Sequence, residues 1–357
     1  MIDSRYLKLV SAIDQFGSLN KASKELNLTQ SALSHQLKNL EEYLDLAIFH
    51  RVGNQLHFTE AGKELRDRAE HILEQLESLE SRLAELREDQ LARYIHGYSR
   101  KEAQRLIDQA SSVADFIHFD SHWEEGSRIL EVGCGVGAQT AIIAQKNPNT
   151  QFISIDISKE SLQSAQTKIE QLGLTNVSFQ LKDVRNLKRR TDGLFDHVLV
   201  CFILEHLSDP LEILSKIKAV LKPNGSITVI EGDHGSAYFY PDNPHAQKVI
   251  QSQIALQKKR GGDANIGRAL FPLLQKAGFK NIEVSPRTIY VDGSKPALVE
   301  GFIKNTFTAM IQGMSEEILA EELLSLNDFN KGIDGLLRTA QEGGVFNYTF
   351  FKAKALH

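Results

Sequence analysis

The stretch Arg128–Thr140, RILEVGCGVGAQT, constrains the fold of this 357-residue chain more than any other. It opens with the apolar, branched residues typical of a strand buried on both faces of a parallel sheet, and it runs into AQTAIIAQK, where apolar residues recur at helical spacing. Between them, Gly133, Gly135 and Gly137 permit positive φ and leave no Cβ beside the backbone. A ligand can therefore lie against this loop, at the positive N-terminus of the helix that follows.

A second strand-like run, FISIDIS, ends near Asp156, 19 residues after Gly137. A carboxylate at this spacing suits a group that accepts hydrogen bonds from ribose hydroxyls. Two other interpretations stay open on these residues alone. One is a strand, turn and helix without a ligand, and the other is a nicotinamide cofactor, which uses a closely related glycine pattern.

The later part of the chain alternates strands and helices. NVSFQLKDVRNL predicts a third strand that ends near Asp183 and Val184, FDHVLVCFILEHLSDP a fourth that reaches Cys201, and KAVLKPNGSITVIEGD a helix, a turn and a fifth strand. This alternation predicts a doubly wound, mainly parallel sheet. Its ligand crevice is expected at the carboxyl ends of the strands.

The G-x-G-x-G loop, with Glu131 two residues ahead of it, resembles motif I of class I S-adenosylmethionine-dependent methyltransferases. The LEHL and LKPxG strings are similar to those of the quinone-biosynthesis type, and a nicotinamide dehydrogenase has no reason to carry them. The resemblance implies an α/β Rossmann-like fold with S-adenosyl-L-methionine as cofactor. Gln139 would lie beside its methionine moiety, Asp156 would hold the ribose, and Asp183 would border the adenine. The implied cofactor-binding residues are Glu131, Gly133, Gly135, Gly137, Gln139, Asp156, Ile157, Asp183, Val184 and Cys201.

Methyl transfer is an in-line displacement at a sulfonium, so the protein mainly positions the nucleophile and excludes water. The predicted catalytic residues are His234, beside the fifth strand, and Tyr98, in a segment that resembles the N-terminal cap of small-molecule methyltransferases. Glu205 and His206 are further candidates for the catalytic base, but residues of these types also cap a helix or order a loop. The acceptor is expected to be a small molecule, because the chain lacks the Asn/Asp-Pro-Pro-aromatic string and the Pro-Cys nucleophile of DNA-methylating enzymes.

A helical insertion over about residues 295–342 is predicted before the last strand, VFNYTFFKAKAL. In this family the last strand usually returns at once as an antiparallel hairpin. Phe302, Phe307, Met310 and Met314 form either an apolar lid over a hydrophobic substrate or ordinary core packing.

The first 60 residues read as short helices, a tight turn, a third helix capped by Thr29, and a hairpin around Gly53 and Asn54. This pattern predicts a winged helix-turn-helix, whose second helix enters the major groove. The strings GSLNKASKELNLTQSALSHQLKNLEEYL and FTEAGKEL closely resemble the N-terminal domain of LysR-type transcriptional regulators. The resemblance implies DNA contacts from Gln30, Ser31, Ser34, His35, Lys38 and Arg51. That family often has Arg in place of His35, so its base preference is not carried over.

Heptads of apolar residues continue from residue 61 to 93, and the linker helix of LysR-type proteins pairs chains. Packing against the same chain is the alternative to a homodimer. The predicted domains are a winged helix-turn-helix DNA-binding domain over residues 1–60, a linker and dimerisation helix over 61–93, and a methyltransferase domain over 94–357.

Two functions fit this organisation. One is a transcription regulator that binds a double-stranded DNA operator and is fused to a methyltransferase acting on a small, hydrophobic molecule. The other is a regulator whose methyltransferase fold senses S-adenosylmethionine or S-adenosylhomocysteine without turnover. The net charge of -5, the two cysteines and the lack of a long apolar run favour a cytoplasmic chain with no metal site and no membrane span.

Overall fold

The computed structural model describes residues 3–16, 19–26, 28–52, 55–91 and 100–357. These residues form two compact units, residues 1–90 and 91–357. In the described part of the chain, no helix is long and apolar enough to span a membrane.

The first unit is a small helical domain with one hairpin. Its elements are α1 (Ser4–Phe16), α2 (Leu19–Glu25), α3 (Gln30–Leu44), β1 (Phe49–Val52), β2 (Gln55–Phe58) and α4 (Glu60–Leu91). The strands β1 and β2 pair antiparallel, with His50 opposite His57. Leu9, Leu33 and Leu40 are fully buried in the core of this unit.

Helix α3 is amphipathic. Thr29 caps its N-terminus by accepting a hydrogen bond from the Ala32 backbone N–H, and Leu37 and Leu40 face the core. Helix α4 instead leaves a row of large apolar side chains exposed at heptad spacing, namely Ile72, Leu76 and Leu79.

The second unit contains the remaining elements. Its helices are α5 (Arg100–Ile117), α6 (Ala138–Lys146), α7 (Lys159–Gln171), α8 (Arg189–Asp192), α9 (Pro210–Ala219), α10 (Pro244–Lys259), α11 (Leu270–Lys276), α12 (Pro296–Leu298), α13 (Ala309–Gly313), α14 (Ser315–Ala320) and α15 (Leu326–Arg338). Its strands are β3 (Arg128–Val132), β4 (Gln151–Asp156), β5 (Val177–Leu181), β6 (Phe195–Cys201), β7 (Leu221–Tyr240), β8 (Lys280–Asp292) and β9 (Val345–Leu356). Short 3-10 helices span Val184–Asn186, Leu204–His206 and Ile266–Ala269, and a π-helix spans Val299–Thr308.

Within residues 100–357, the seven strands form one sheet in the order β5-β4-β3-β6-β7-β9-β8. The pairs from β5 to β7 are parallel, and β9 runs antiparallel to both β7 and β8. The strand order reverses between β3 and β6. In such sheets ligands bind outside the carboxyl ends of the strands at this reversal.

Alternate residues of the central strands fill cores on the two faces of the sheet. On β3, for example, Ile129 belongs to the core that contains residues of α5 and the π-helix, and Leu130 belongs to the core that contains residues of α9 and α11. Because both faces are buried, these strands are continuously apolar rather than alternating.

The insertion over about residues 295–342 is helical and belongs mainly to the core. Phe302, Phe307 and Met314 are at most 3% exposed, and the two phenylalanines contact Phe346 and Tyr348 of β9. The core-packing alternative therefore accounts for these side chains.

Candidate cofactor and acceptor site

The glycine loop between β3 and α6 is left-handed at each predicted glycine. The φ angles are +69° at Gly133, +52° at Gly135 and +72° at Gly137. A Cβ at Gly133 would overlap the Ile203 side chain, and one at Gly137 would lie 2.9 Å from the Ala165 Cβ. Nothing lies within 4 Å of the corresponding point at Gly135. Two of the glycines therefore allow close packing, whereas Gly135 leaves open space beside the loop.

Asp156 lies at the end of β4, beside this loop. Its Oδ2 accepts from the Gly135 N–H at 2.8 Å, and its Oδ1 accepts from the Ser158 N–H at 2.9 Å. Burial raises the pKa of this carboxyl above its usual value, although the backbone donors oppose the shift. The neighbouring Ile157 is half-buried. Asp156 thus fixes the conformation of the glycine loop.

Glu131 lies beneath the loop and is 2% exposed. Its Oε2 accepts from Thr140 Oγ1 at 2.8 Å and from Ser154 Oγ at 2.6 Å. Burial raises the pKa of Glu131 to about 7. The side chain is therefore a hydrogen-bonding link between β3, β4 and α6 rather than an exposed ligand-binding charge.

This raised pKa predicts a pH-dependent stability. Between pH 4.5 and about 7 the folded state keeps a proton that the unfolded state has lost, so the free energy of unfolding falls as pH rises through this window. The contribution of Glu131 is largest below pH 4.5 and is lost above about pH 7, for a change on the order of 3 kcal/mol at most. Glu131→Gln is expected to flatten the profile between pH 5 and 8.

Denaturant unfolding followed by the fluorescence of Trp123, the single tryptophan, reports on the second unit. Glu160→Gln, at an exposed position on α7, is the matched control and should retain the wild-type slope. Parallel profiles for the wild type and Glu131→Gln would rule out the proton on Glu131.

The N-terminus of α6 adjoins the loop and has no side-chain cap at Gly137. The first backbone N–H groups of a helix lack intrahelical partners, so they suit an anion. Gln139, in this first turn, accepts through Oε1 from His118 Nε2 at 2.8 Å. Cys201, the last residue of β6, is buried, and burial raises the pKa of its thiol.

Asp183 and Val184 follow β5, as the sequence predicts. Both carboxylate oxygens of Asp183 pair with the Arg185 guanidinium, and Oδ1 also accepts from the Arg185 backbone N–H. Val184 is buried. Asp183 therefore orders its own turn.

A second feature of the second unit is a partly open cleft of about 50 Å³ that lies after the end of β6 and beside Gly232 and His234 of β7. Helix α5, strand β9 and Met310 of α13 supply its other walls. The lining residues are Arg105, Leu106, Gln109, Phe202, Glu205, His206, Gly232, His234, Met310, Tyr348 and Phe350.

Three titratable side chains, those of Glu205, His206 and His234, meet in this cleft. His206 Nε2 lies 3.6 Å from Glu205 Oε1, and His234 Nε2 lies 3.6 Å from Glu205 Oε2. Gln257 donates to the Glu205 carbonyl at 2.9 Å and to its Oε2 at 3.3 Å. Burial lowers the pKa of His206 to about 3 and also lowers that of His234, so both imidazoles are neutral at neutral pH. These lowered pKa values make the two imidazoles weak bases, so the carboxylate of Glu205 is the candidate proton acceptor of the cluster.

The loop after β6 connects the cleft with the glycine loop. Phe202 has φ +58°, which is rare for a bulky residue, and the next residue is Ile203, whose side chain covers Gly133. Buried Glu231 fixes this loop by accepting from the Ile203 and Leu204 N–H groups at 3.0 and 2.7 Å. Burial and the neighbouring Glu205 raise the pKa of Glu231 well above its usual value.

The structure brings the predicted His234 together with Glu205 and His206, which sequence reasoning ranked below it. Tyr98 lies outside the described residues, so its predicted role is not placed. Sequence reasoning missed Glu231, although the string VIEGD puts an acid at the end of the fifth strand. It also missed Arg105, which pairs with buried Glu102 on α5.

The predicted DNA-contacting face lies on α3. Ser31, Ser34, His35 and Lys38 are exposed, opposite the buried leucines. His35 Nδ1 lies 3.2 Å from Asn39 Nδ2. The side chains of Gln30, in the first turn of α3, and of Arg51, on β1, lie outside the described residues.

Comparison with known families agrees with both units. Residues 4–63 match the bacterial regulatory helix-turn-helix proteins of the lysR family, and residues 124–283 match a methyltransferase domain. The chain joins a LysR-type helix-turn-helix domain to a methyltransferase domain. This confirms the family assignment and the fold predicted for each part.

Individual relatives match different parts of this fusion. An uncharacterized 37.1 kDa protein in transposon TN4556 of Streptomyces fradiae is 28% identical over 277 residues, which are 76% of either chain. Norajmaline N-methyltransferase of Rauvolfia serpentina is 30% identical over 164 residues, 44% of this chain and 55% of the relative. The HTH-type transcriptional regulator MetR of Haemophilus influenzae is 40% identical over 86 residues, 24% of this chain and 28% of the regulator. The chain thus spans less than two thirds of the last two relatives.

Proposed function

We propose that the methyltransferase domain transfers a methyl group from S-adenosylmethionine to a small molecule, and that the LysR-type domain binds a double-stranded DNA operator. The observation that carries the proposal is the cleft in which Glu205 lies between His206 and His234, joined to the glycine loop through Phe202, which lines the cleft, and Ile203, which covers Gly133. A domain that only senses a nucleotide has no need of a proton-accepting cluster there.

The residues around the glycine loop fit the cofactor. Open space beside Gly135 and the uncapped N-terminus of α6 suit the methionine moiety with its carboxylate. In this proposal Asp156, at the end of β4, accepts from the ribose hydroxyls, and Asp183 with Val184, after β5, borders the adenine. When bound, S-adenosylmethionine supplies an electrophilic methyl group on its sulfonium.

The cleft selects the acceptor and takes up its proton. Phe202, Tyr348 and Phe350 supply aromatic walls, which suit a hydrophobic acceptor. Glu205, with neutral His206 and His234 beside it, accepts the proton that a protic nucleophile must lose. The name of the Rauvolfia relative supports a nitrogen nucleophile.

The first unit supports paired DNA readers. Its α3 presents a polar face, and its α4 exposes Ile72, Leu76 and Leu79 at the spacing of a helix that packs against a second copy. Pairing through residues 61–93 would place two recognition helices about one turn of DNA apart.

The test is to incubate the full chain with S-adenosylmethionine labelled in its methyl group, together with small-molecule extracts or with duplex DNA. Label in a small molecule and S-adenosylhomocysteine as co-product are expected. A ligand-dependent change in the DNA footprint without any turnover would contradict the enzyme and support the sensor. Label in the DNA would contradict the small acceptor.

Lys38→Ala is expected to weaken DNA binding several-fold, equally for all sequences. Lys38 is 73% exposed and, in the described part of the first unit, forms a surface ion pair with Glu42 at 3.5 Å, so it is available to a phosphate. The slope of log affinity against log salt should become shallower by about one. The duplex would be selected by the intact protein from random sequences. Lys8→Ala, at an exposed position on α1, is the control, and equal losses for both variants would contradict a specific role of α3.

A further inference from the structure

Lys352, on β9, is a buried lysine far in sequence from the glycine loop. Its side chain is 1% exposed, and Nζ donates to Ile117 O at 2.9 Å, Asp120 Oδ1 at 2.7 Å and Ser121 Oγ at 2.9 Å. Burial lowers the pKa of Lys352, whereas the hydrogen bond and the charge of the adjacent Asp120 carboxylate raise it and favour the ammonium. A charged ammonium has three N–H donors and no acceptor, so these three contacts occupy all of its donors.

This ammonium fixes the direction of the next hydrogen bond. Ser121 is 2% exposed, and within the described residues its hydroxyl contacts only Lys352 Nζ and His118 Nδ1, the latter at 3.0 Å. Because Lys352 can only donate, Ser121 Oγ accepts from it. The single hydroxyl hydrogen of Ser121 then donates to His118 Nδ1.

The tautomer of His118 sets the direction of the next hydrogen bond, which joins His118 to Gln139 beside the glycine loop. It is fully buried, and burial lowers its pKa to about 4, so the ring is neutral at neutral pH. A neutral imidazole donates through one nitrogen and accepts through the other. With Nδ1 accepting, Nε2 carries the hydrogen and donates to Gln139 Oε1 at 2.8 Å.

The opposite direction is disfavoured. If His118 Nδ1 carried the hydrogen, Ser121 Oγ would accept from both neighbours, and its own hydroxyl hydrogen would be buried without an acceptor. Such an unmade hydrogen bond disfavours an arrangement by about tenfold or more. The Gln139 amide would also have to turn its nitrogen toward His118.

We propose that Lys352, Ser121 and His118 are positioning residues that orient the Gln139 amide, so that its N–H groups donate to the carboxylate of the cofactor's methionine moiety. The inference rests on the proposed function for the identity of that ligand. In the described part of the chain, the Gln139 amide nitrogen donates to no protein group. It lies in the first turn of α6, where the unpaired backbone N–H groups also favour an anion.

The direction of the relay can be measured without any ligand. In the full chain labelled with ¹⁵N-histidine, the His118 ring is expected as the Nε2–H tautomer, assigned by its loss in His118→Asn. The Ser121→Ala variant should lose this tautomer preference, whereas the Ser121→Thr variant, which has a hydroxyl, should retain it. An Nδ1–H tautomer in the wild type would overturn the proposal whether or not the protein binds a nucleotide.

Lys352 and Lys354, on the same strand, allow the effect of the hydrogen-bond relay to be distinguished from a general effect of positive charge. Lys352→Met removes the donor to Ser121, and Lys354→Met removes a charge 3.1 Å from the same Asp120 without contacting Ser121. We expect Lys352→Met to lose the tautomer preference and to bind S-adenosylhomocysteine several-fold more weakly, whereas Lys354→Met resembles the wild type. Equal effects of both variants would overturn the relay. Ser121→Ala decides the matter if Lys352→Met does not fold.

Gln139→Glu tests the ligand. A glutamate still accepts from His118 but offers no N–H and repels a carboxylate, so the dissociation constant of S-adenosylhomocysteine should rise by about tenfold or more. Binding of 5′-methylthioadenosine, which lacks the carboxylate, should change little. An unchanged S-adenosylhomocysteine affinity would overturn the proposal. A wild type that binds neither nucleotide would instead refute the proposed function, and the tautomer alone would then decide the relay.

Discussion

Replacing Glu205 by glutamine is expected to lower kcat by about 100-fold to 10,000-fold, the range typical of a lost general base. Glu205 is 7% exposed and lies between the Nε2 atoms of His206 and His234. The amide has almost the same shape but cannot take up a proton. The affinity for S-adenosylmethionine should stay within about threefold of wild type, since Glu205 lines the acceptor cleft rather than the glycine loop.

The same substitution should not unfold the protein. Glu205 is close to a second buried acid, Glu231, whose pKa it helps to raise, so a neutral side chain relieves a repulsion. Trp123 fluorescence during denaturant unfolding would check this. Glu212→Gln, at an exposed position on α9, is the matched control and should leave kcat unchanged. A Glu205→Gln enzyme with a kcat within threefold of wild type would show that the cluster does not accept the proton.

Gly133→Ala is expected to lower the free energy of unfolding of the methyltransferase domain by about 2–5 kcal/mol and to abolish cofactor binding. About 1–2 kcal/mol comes from placing a side chain at φ +69°. About 1–3 kcal/mol more comes from the overlap of the new Cβ with the side chain of Ile203, whose backbone N–H is held by Glu231.

Gly343→Ala separates these two causes. Gly343 has φ +72° and nothing within 4 Å of the added Cβ, so it should lose only the backbone part. Combining Gly133→Ala with Ile203→Ala should recover part of the lost stability, as expected for residues in contact. Equal losses at Gly133 and Gly343, with no recovery in the double variant, would contradict close packing between the two loops.

The features that could be predicted from the sequence are local in the chain. The strand, glycine loop and helix from residue 128 follow from a change in apolar period around three glycines, and the buried face of α3 follows from helical spacing. The alternation of strands and helices predicts the parallel sheet, and the resemblance to class I methyltransferases implies an antiparallel last strand, as β9 is.

The features that could not be predicted depend on contacts between distant segments. The cluster in the cleft needs β6, β7 and α10 to bring Glu205, His234 and Gln257 together. The relay joins residues 118, 139 and 352, and a lone buried lysine in VFNYTFFKAKAL has no local signal. Nothing in the local sequence indicates φ +58° at Phe202, because the surrounding loop imposes it.

The most direct test of the central claim is the calorimetric titration of the full chain with S-adenosylhomocysteine, beside the Gly135→Val variant. Gly135 has open space at its Cβ position, so valine should fill the proposed cofactor crevice without overlapping protein atoms within 4 Å. As at Gly343, the positive φ of +52° adds a backbone cost of about 1–2 kcal/mol, so the variant is first checked for a folded methyltransferase domain. The account predicts one binding site per wild-type chain and no measurable binding to a folded Gly135→Val chain. No heat with the wild type, or equal affinity in both proteins, would contradict a cofactor site at the glycine loop.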